Sequence, residues 1–156
     1  MRLMMRAIAV IGIVGLSYAI HAQADPSVGT WKLNLAKSKY NAGQPPRSTT
    51  VVIEPAGDGI KLTATSIVAD GSTRKIAYTA TYDGKDARVV GTADYDTIAI
   101  TRTANGTEGV RKRGGRVAQT YTRTVSADGK TMTVTSKGTG AAGDKVDNVQ
   151  VYDKQT

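Results

Sequence analysis

From residue 29 onward, apolar side chains recur at every second position in short runs, and Gly, Asp, Asn and Pro separate the runs. A period of two places successive side chains on opposite faces of an extended strand, so each run predicts a half-buried β-strand. In the first, Gly29-Thr30-Trp31-Lys32-Leu33, residues Trp31, Leu33 and Leu35 share one parity, and Thr30, Lys32 and Asn34 take the other. Gly29 gives the backbone room to bend as that strand begins. Val51 and Ile53 alternate in a second strand from Ser48 to Pro55. Ile60, Leu62, Ala64 and Val68 do so in a third, and Ile76, Tyr78, Ala80 and Tyr82 in a fourth from Arg74 to Tyr82. Ala87 to Val90 is a short fifth strand, Thr97 to Thr103 a sixth carrying Ile98 and Ile100, and Glu108 to Arg113 a basic seventh. Arg116 to Ser126 places Val117, Tyr121 and Val125 on one face; Thr131 to Lys137 does the same for Met132 and Val134; Val146 to Asp153 is the last strand.

The turns agree with this reading. Asp70-Gly71, Asp83-Gly84, Asn105-Gly106, Gly114-Gly115 and Asp128-Gly129 sit at hairpin spacing, and Asp, Asn and Gly tolerate the positive φ that tight hairpins need. Ala36 to Arg47, broken by Gly43 and Pro45-Pro46, holds no more than a turn or two of helix. The fold class is therefore all-β: an antiparallel up-and-down meander of 8–10 strands. Such a meander either leaves two exposed edges or closes into a barrel, and closure removes the edges. Threonine is frequent opposite the larger apolar residues, where its branched Cβ suits the pleat and its hydroxyl tolerates water. With no Phe in the chain, the interior falls to Trp31, the tyrosines and aliphatics.

The segment before the strands is of another kind. Arg2 and Arg6 precede an uncharged stretch from Ala7 to Ile20, and Ala22-Gln23-Ala24 is a small-x-small cleavage signal, so residues 1–24 are predicted to be a signal peptide rather than a membrane anchor. Export, to the periplasm or outside the cell, leaves residues 25–156 as one domain with no membrane span. The leader carries two of the 21 basic residues and none of the 13 acidic ones, so the formal charge falls from +8 to +6. The basic residues are scattered through the strands, which fits a solvated surface.

The chain has no cysteine, and its one histidine, His21, lies in the leader. Ser-His-Asp and Cys-His chemistry and the usual zinc and haem sites are thereby excluded from the mature chain. No cofactor is expected. Gly138-Thr139-Gly140-Ala141-Ala142-Gly143 spells the dinucleotide fingerprint, but a strand follows where that fingerprint needs a helix, so it reads as a hairpin loop. Arg111-Lys112-Arg113 with Arg116 could meet phosphates. It reads instead as an exposed hairpin whose alternate side chains reach solvent, and no nucleic-acid partner is expected. Asp94 and Asp96 lack a third acidic ligand and read as turn formers, and Asn105-Gly106-Thr107, a glycosylation sequon, as a hairpin tip. Tyr78, Tyr82 and Tyr121 share strand faces with apolar residues, where they either pack a core or line a cavity with their hydroxyls aimed at a ligand.

Two stretches carry a family resemblance. Gly29-Thr30-Trp31 resembles the Gly-x-Trp signature of the calycin superfamily, the lipocalins and fatty-acid-binding proteins. Val149-Gln150-Val151-Tyr152-Asp153-Lys154 resembles the closing strand of the latter. The whole mature chain, with GTWKLN and AKSK at its start and Ser126 to Thr135 as S-x-DGKTMTVT, is similar to a family of exported bacterial lipocalin-like proteins of unassigned activity. The resemblance implies a calycin-like barrel in which Gln150 and Tyr152 contact the ligand. Gln150 stands where fatty-acid-binding proteins carry a carboxylate-binding arginine, and Gln cannot neutralise a carboxylate. It also implies an arginine packed against Trp31 at the barrel base, Arg123 first and Arg102 second. Gly29, Trp31 and Arg123 are thus expected to be structural, and Tyr78, Tyr82, Tyr121, Gln150 and Tyr152 to bind ligand. The expected function is a monomeric, non-enzymatic binding protein for a small apolar or amphipathic molecule. The alternatives are a filled barrel acting through its outer surface, and an isomerase or cyclase working by carboxylate, Lys or Tyr acid–base chemistry on an apolar substrate.

Overall fold

The computed structural model describes residues 25–41 and 43–156, so the leader lies outside the described residues. Ten strands follow one another: β1 (Gly29–Leu33), β2 (Ser48–Ala56), β3 (Gly59–Ile67), β4 (Thr73–Thr81), β5 (Ala87–Val90), β6 (Thr97–Thr103), β7 (Gly106–Arg113), β8 (Arg116–Val125), β9 (Thr131–Thr139) and β10 (Lys145–Lys154). Each pairs antiparallel with its sequence neighbour, and β1 pairs with β10, closing the meander into a ten-stranded barrel. The recurrent Asp-Gly turns have a shared mechanism. The carboxylates of Asp70, Asp83 and Asp128 accept the backbone N–H groups of Ser72, Lys85 and Lys130 two residues on, which holds each turn. The connection after β1 holds one 3₁₀ turn, Leu35–Lys37, capped by the Asn34 side chain. Beyond it Lys39 bridges to Val149, so this segment lies along β10.

Inward residues change character along the barrel. On β3 the inward row runs Ile60, Leu62, Ala64, Ser66; on β9, Met132, Val134, Ser136; on β2, Thr49, Val51, Ile53. Because neighbouring strands run in opposite directions, Thr49, Ser66 and Ser136 fall at one end, the mouth, and the apolar members toward the other, the base. Trp31, Ile53, Ile60, Ile98, Ile100 and Met132 are the largest fully buried side chains.

The base is closed by the first described residues. Asp25-Pro26-Ser27-Val28 forms a turn in which the Val28 N–H donates to the Asp25 carbonyl at 3.1 Å, with proline at its favoured second position. The Trp31 indole N–H donates to the Ser27 carbonyl at 2.8 Å, tying the turn to the core. The cation over Trp31 is neither Arg123 nor Arg102, as expected from the resemblance. It is Lys154, the cross-strand partner of Trp31 on β10, whose Nζ lies 5.2 Å from the ring centroid. Gly29 makes room for it. Its φ of 137° favours glycine, and an added Cβ would stand 2.9 Å from the Lys154 Cε. Arg102 instead stacks on Tyr82 at 3.9 Å, and Arg123 points into the barrel.

A second correction falls on β8. Val117, expected beside Tyr121, is 63% exposed. The register slips between Arg111 and Lys112: Arg111 faces Gln119 while Lys112 faces Val117, leaving Ala118 as one extra residue on β8. A bulge of this kind shifts the alternation by one position, so Val117 turns out while Ala118 and Gln119 are both buried. Ile100→Ala should cost about 2–5 kcal/mol through lost burial and a cavity, whereas Val117→Ala should stay within about 0.5 kcal/mol. Equilibrium urea unfolding of the two variants would measure the contrast; a comparable loss at Val117 would contradict the bulge.

Candidate functional site

The mouth opens into a cavity of about 280 Å³. Thr49, Ser66, Arg74, Gln119, Ser136 and Asn148 ring its upper part, and Val51, Leu62, Tyr78, Met132 and Tyr152 line it below. The upper polar groups are largely spent on one another. Thr49 and Ser66 share a hydrogen bond of 2.8 Å, and the Gln119 amide donates to the Thr139 carbonyl at 3.2 Å. Of the residues expected to bind ligand, Tyr78, Tyr121, Gln150 and Tyr152 all line this cavity. Gln150 donates through Nε2 to the Tyr40 hydroxyl at 3.0 Å, a partner supplied by the connection after β1. Tyr82 stands apart. It closes the base, donating its hydroxyl to the Asp25 carboxylate, and does not line the cavity.

Two guanidinium groups enter this interior. Arg123, 3% exposed, donates through Nη2 to the Tyr78 hydroxyl at 2.8 Å. Arg111, read from the sequence as solvent-facing, is the larger surprise. It turns inward from β7, donating through Nη1 to the Gln119 carbonyl oxygen at 3.0 Å and to the Ser136 hydroxyl at 3.2 Å. The bulge explains it: Gln119 takes the inward place opposite Arg111 and supplies the acceptor. The signal was present, because Thr107, Gly109 and Arg111 share a parity, but a basic run masked it. Arg111 lies 4.6 Å from the Tyr121 ring centroid and 4.9 Å from that of Tyr95, and Arg123 lies 5.8 Å from that of Tyr121. Gly109 makes the stack possible, since a Cβ there would stand 2.3 Å from the Tyr121 ring.

Burial raises the Tyr121 and Tyr152 phenols well above their usual range, so both stay protonated. Burial works against the charge on Arg123, and the hydrogen bond to the Tyr78 hydroxyl works in its favour. Among the described residues, neither Arg111 nor Arg123 forms a salt bridge. Asp94 also lines the mouth, but its carboxylate accepts the Ala141 N–H at 2.9 Å and so fastens the β5–β6 loop to the β9–β10 loop. Asp96 likewise accepts the Gly114 N–H at 2.8 Å, and no group of metal-binding side chains occurs among the described residues. The fingerprint-like Gly138 to Gly143 stretch is the end of β9 and the loop that follows. A separate depression of about 560 Å³ lies over the outward residues of β6 to β9, among them Thr101, Glu108, Thr120, Thr122 and Lys137, with Gly109 at its floor.

No family model matches the chain, and no curated protein does. Among solved structures it is similar to zebrafish ileal bile acid-binding protein complexed with cholic acid, at 13% identity and a TM-score of 0.47, covering 84% of this chain and 100% of that one.

The Asp25 carboxyl is the titratable group that ties the base together. Burial alone would raise it, but the hydrogen bonds from Tyr82 and Ser27 and the nearby Arg102 outweigh that and hold it below the usual carboxylate range. A depressed carboxylate adds stability that is present above its unfolded pKa of about 3.9 and is lost as pH falls through the folded value. Thermal unfolding of residues 25–156 and of their Asp25→Asn variant should therefore differ most at neutral pH and begin to converge only as pH falls below about 4. A gap that stays constant through acid would contradict this role.

Proposed function

We propose that the protein is exported by removal of residues 1–24 and works in the periplasm or outside the cell. There it is a monomeric, non-enzymatic binding protein of the bacterial lipocalin-like kind, holding one small apolar or amphipathic molecule in its barrel. The observation that carries the reading is the cavity of about 280 Å³, graded from a hydroxyl- and amide-bearing mouth to an apolar lower part. Such grading suits a molecule with unlike ends. The ionisable groups facing it argue for binding over proton transfer. A general acid or base works best with a pKa near the operating pH, whereas Tyr121 and Tyr152 shift away from neutrality.

Native mass spectrometry of the mature chain purified from its host's envelope fraction, followed by organic extraction, tests the reading. A stoichiometric bound molecule is expected, and Ala64→Trp, which fills the cavity from β3, should lose it while keeping the β-sheet circular dichroism of the parent. A bare protein mass, with no thermal stabilisation by a panel of lipids and hydrophobic dyes, would overturn the proposal. It would favour the second reading, a barrel acting through its outer surface, for which the depression over Gly109 is the available concavity.

A further inference from the structure

Four buried side-chain polar atoms have no hydrogen-bond partner: Arg111 Nε, Arg123 Nη1, the Tyr121 hydroxyl and Thr107 Oγ1. Three of the four belong to residues that line the cavity, and all three are hydrogen-bond donors. Tyr78 sits beside the Tyr121 hydroxyl without reaching hydrogen-bond geometry and spends its own oxygen on Arg123. Both guanidiniums lie within 6 Å of the centroid of the same Tyr121 ring. Arg123 is buried and Arg111 half-buried, and with no carboxylate bound to either, the desolvation of each is offset only by neutral partners.

We infer that the cavity takes the anionic oxygen group of its ligand, a carboxylate, sulfonate or phosphate ester, between Arg111 Nε and Arg123 Nη1 with the Tyr121 hydroxyl as third donor. The inference rests on the binding reading and sharpens it. An anion supplies acceptors to three unpaired donors and offsets two charges at once. The volume further restricts the molecule. About 280 Å³ falls just below the roughly 300–1,000 Å³ of pockets that enclose drug-sized ligands, so the ligand is compact, with one or two rings in place of a long chain. Its apolar body faces Leu62 and Met132, and any polar substituent faces Ser136 or Asn148 toward the mouth.

A matched pair of fluorescent probes isolates the charge: 8-anilinonaphthalene-1-sulfonate and its neutral parent, N-phenyl-1-naphthylamine, titrated at fixed ionic strength. The sulfonate should bind one to one and at least tenfold more tightly than the parent. Arg123→Met and Arg111→Met should each weaken the sulfonate tenfold or more and leave the parent unchanged, and Tyr121→Phe, which removes only the hydroxyl, should weaken it severalfold. Without ligand, Arg123→Met should unfold at or above the parent temperature, since it removes an unneutralised buried charge, and this separates lost binding from lost folding. Competition by benzoate, benzenesulfonate and phenyl phosphate then ranks the three headgroups. Equal binding of both probes, insensitive to the arginine variants, would overturn the inference and leave the binding barrel standing. Failure of both probes to bind would overturn the two together.

Discussion

The barrel depends on the pairing of its first strand with its last. β1 has five residues against ten in β10, and only Trp31, Lys32 and Leu33 face partners there: Lys154, Asp153 and Tyr152. Without that seam, β1 and β10 would present unpaired edges, and the sheet would have no enclosed interior. The short pairing is extended by the chain that follows: the Asn34 N–H donates to the Val151 carbonyl, and Lys39 and Val149 exchange two backbone hydrogen bonds. The same geometry sets Lys154 across from Trp31, so the closing step also places a cation over the one indole in the chain. Gly29 and Trp31 thus serve a single purpose, which is to let the two ends of the sheet meet.

Closure is thinnest on the opposite side. β5 joins β4 through Ala77 with Val90 and Tyr78 with Val89, and joins β6 through Ala87 with Ile98 and Arg88 with Thr97. At the base this gap is spanned by side chains. Tyr82, just past β4, stacks with Arg102 of β6, and Asp25 holds Tyr82 by a hydrogen bond and Arg102 by an ion pair at 3.9 Å. At the mouth the loop after β5 is fastened by Asp94 and Asp96 and by Arg113, which donates to the Asp94 carbonyl at 2.9 Å. The turn at Asp25 is therefore part of the barrel wall.

The interior joins two requirements that usually conflict. The lower rows are packed with aliphatics, Trp31 and Met132, as a stable domain of this size demands. The upper rows carry hydroxyls, amides and the Arg111 guanidinium, and the Arg123 guanidinium lies lower, beside Tyr78; a core excludes such groups unless they are satisfied. Most are satisfied internally, through Gln119, Ser136, Tyr78 and Tyr40, and three of the four buried polar atoms left unpaired belong to residues that line the cavity. A binding site is where a fold tolerates such groups, because a ligand completes what the protein leaves open. The position where the family resemblance expects a cation holds Gln150, while positive charge enters from β7 and β8.

The strands and their order were legible in the sequence because alternation and turn chemistry are local. Trp31, Ile53, Leu62, Tyr78 and Met132 declare an inward face from two residues on either side, and Asp-Gly, Asn-Gly or Gly-Gly marks most of the reversals. Their closure into a barrel also followed, since exposed edges are costly wherever they occur. Alternation states which face a side chain takes, but not how deep along the axis it sits. Tyr82 and Tyr78 share a parity, yet one closes the base and the other lines the cavity. It also fails across a bulge: one extra residue at Ala118 turned Val117 outward and set Gln119 opposite Arg111, converting a basic hairpin into an internal guanidinium. Only the assembled barrel decided which cation meets Trp31, because Lys154 and Trp31 are neighbours across a seam joining the two ends of the chain. The fold thus follows from short-range pattern, whereas the site follows from contacts between residues distant in sequence, which no local rule specifies.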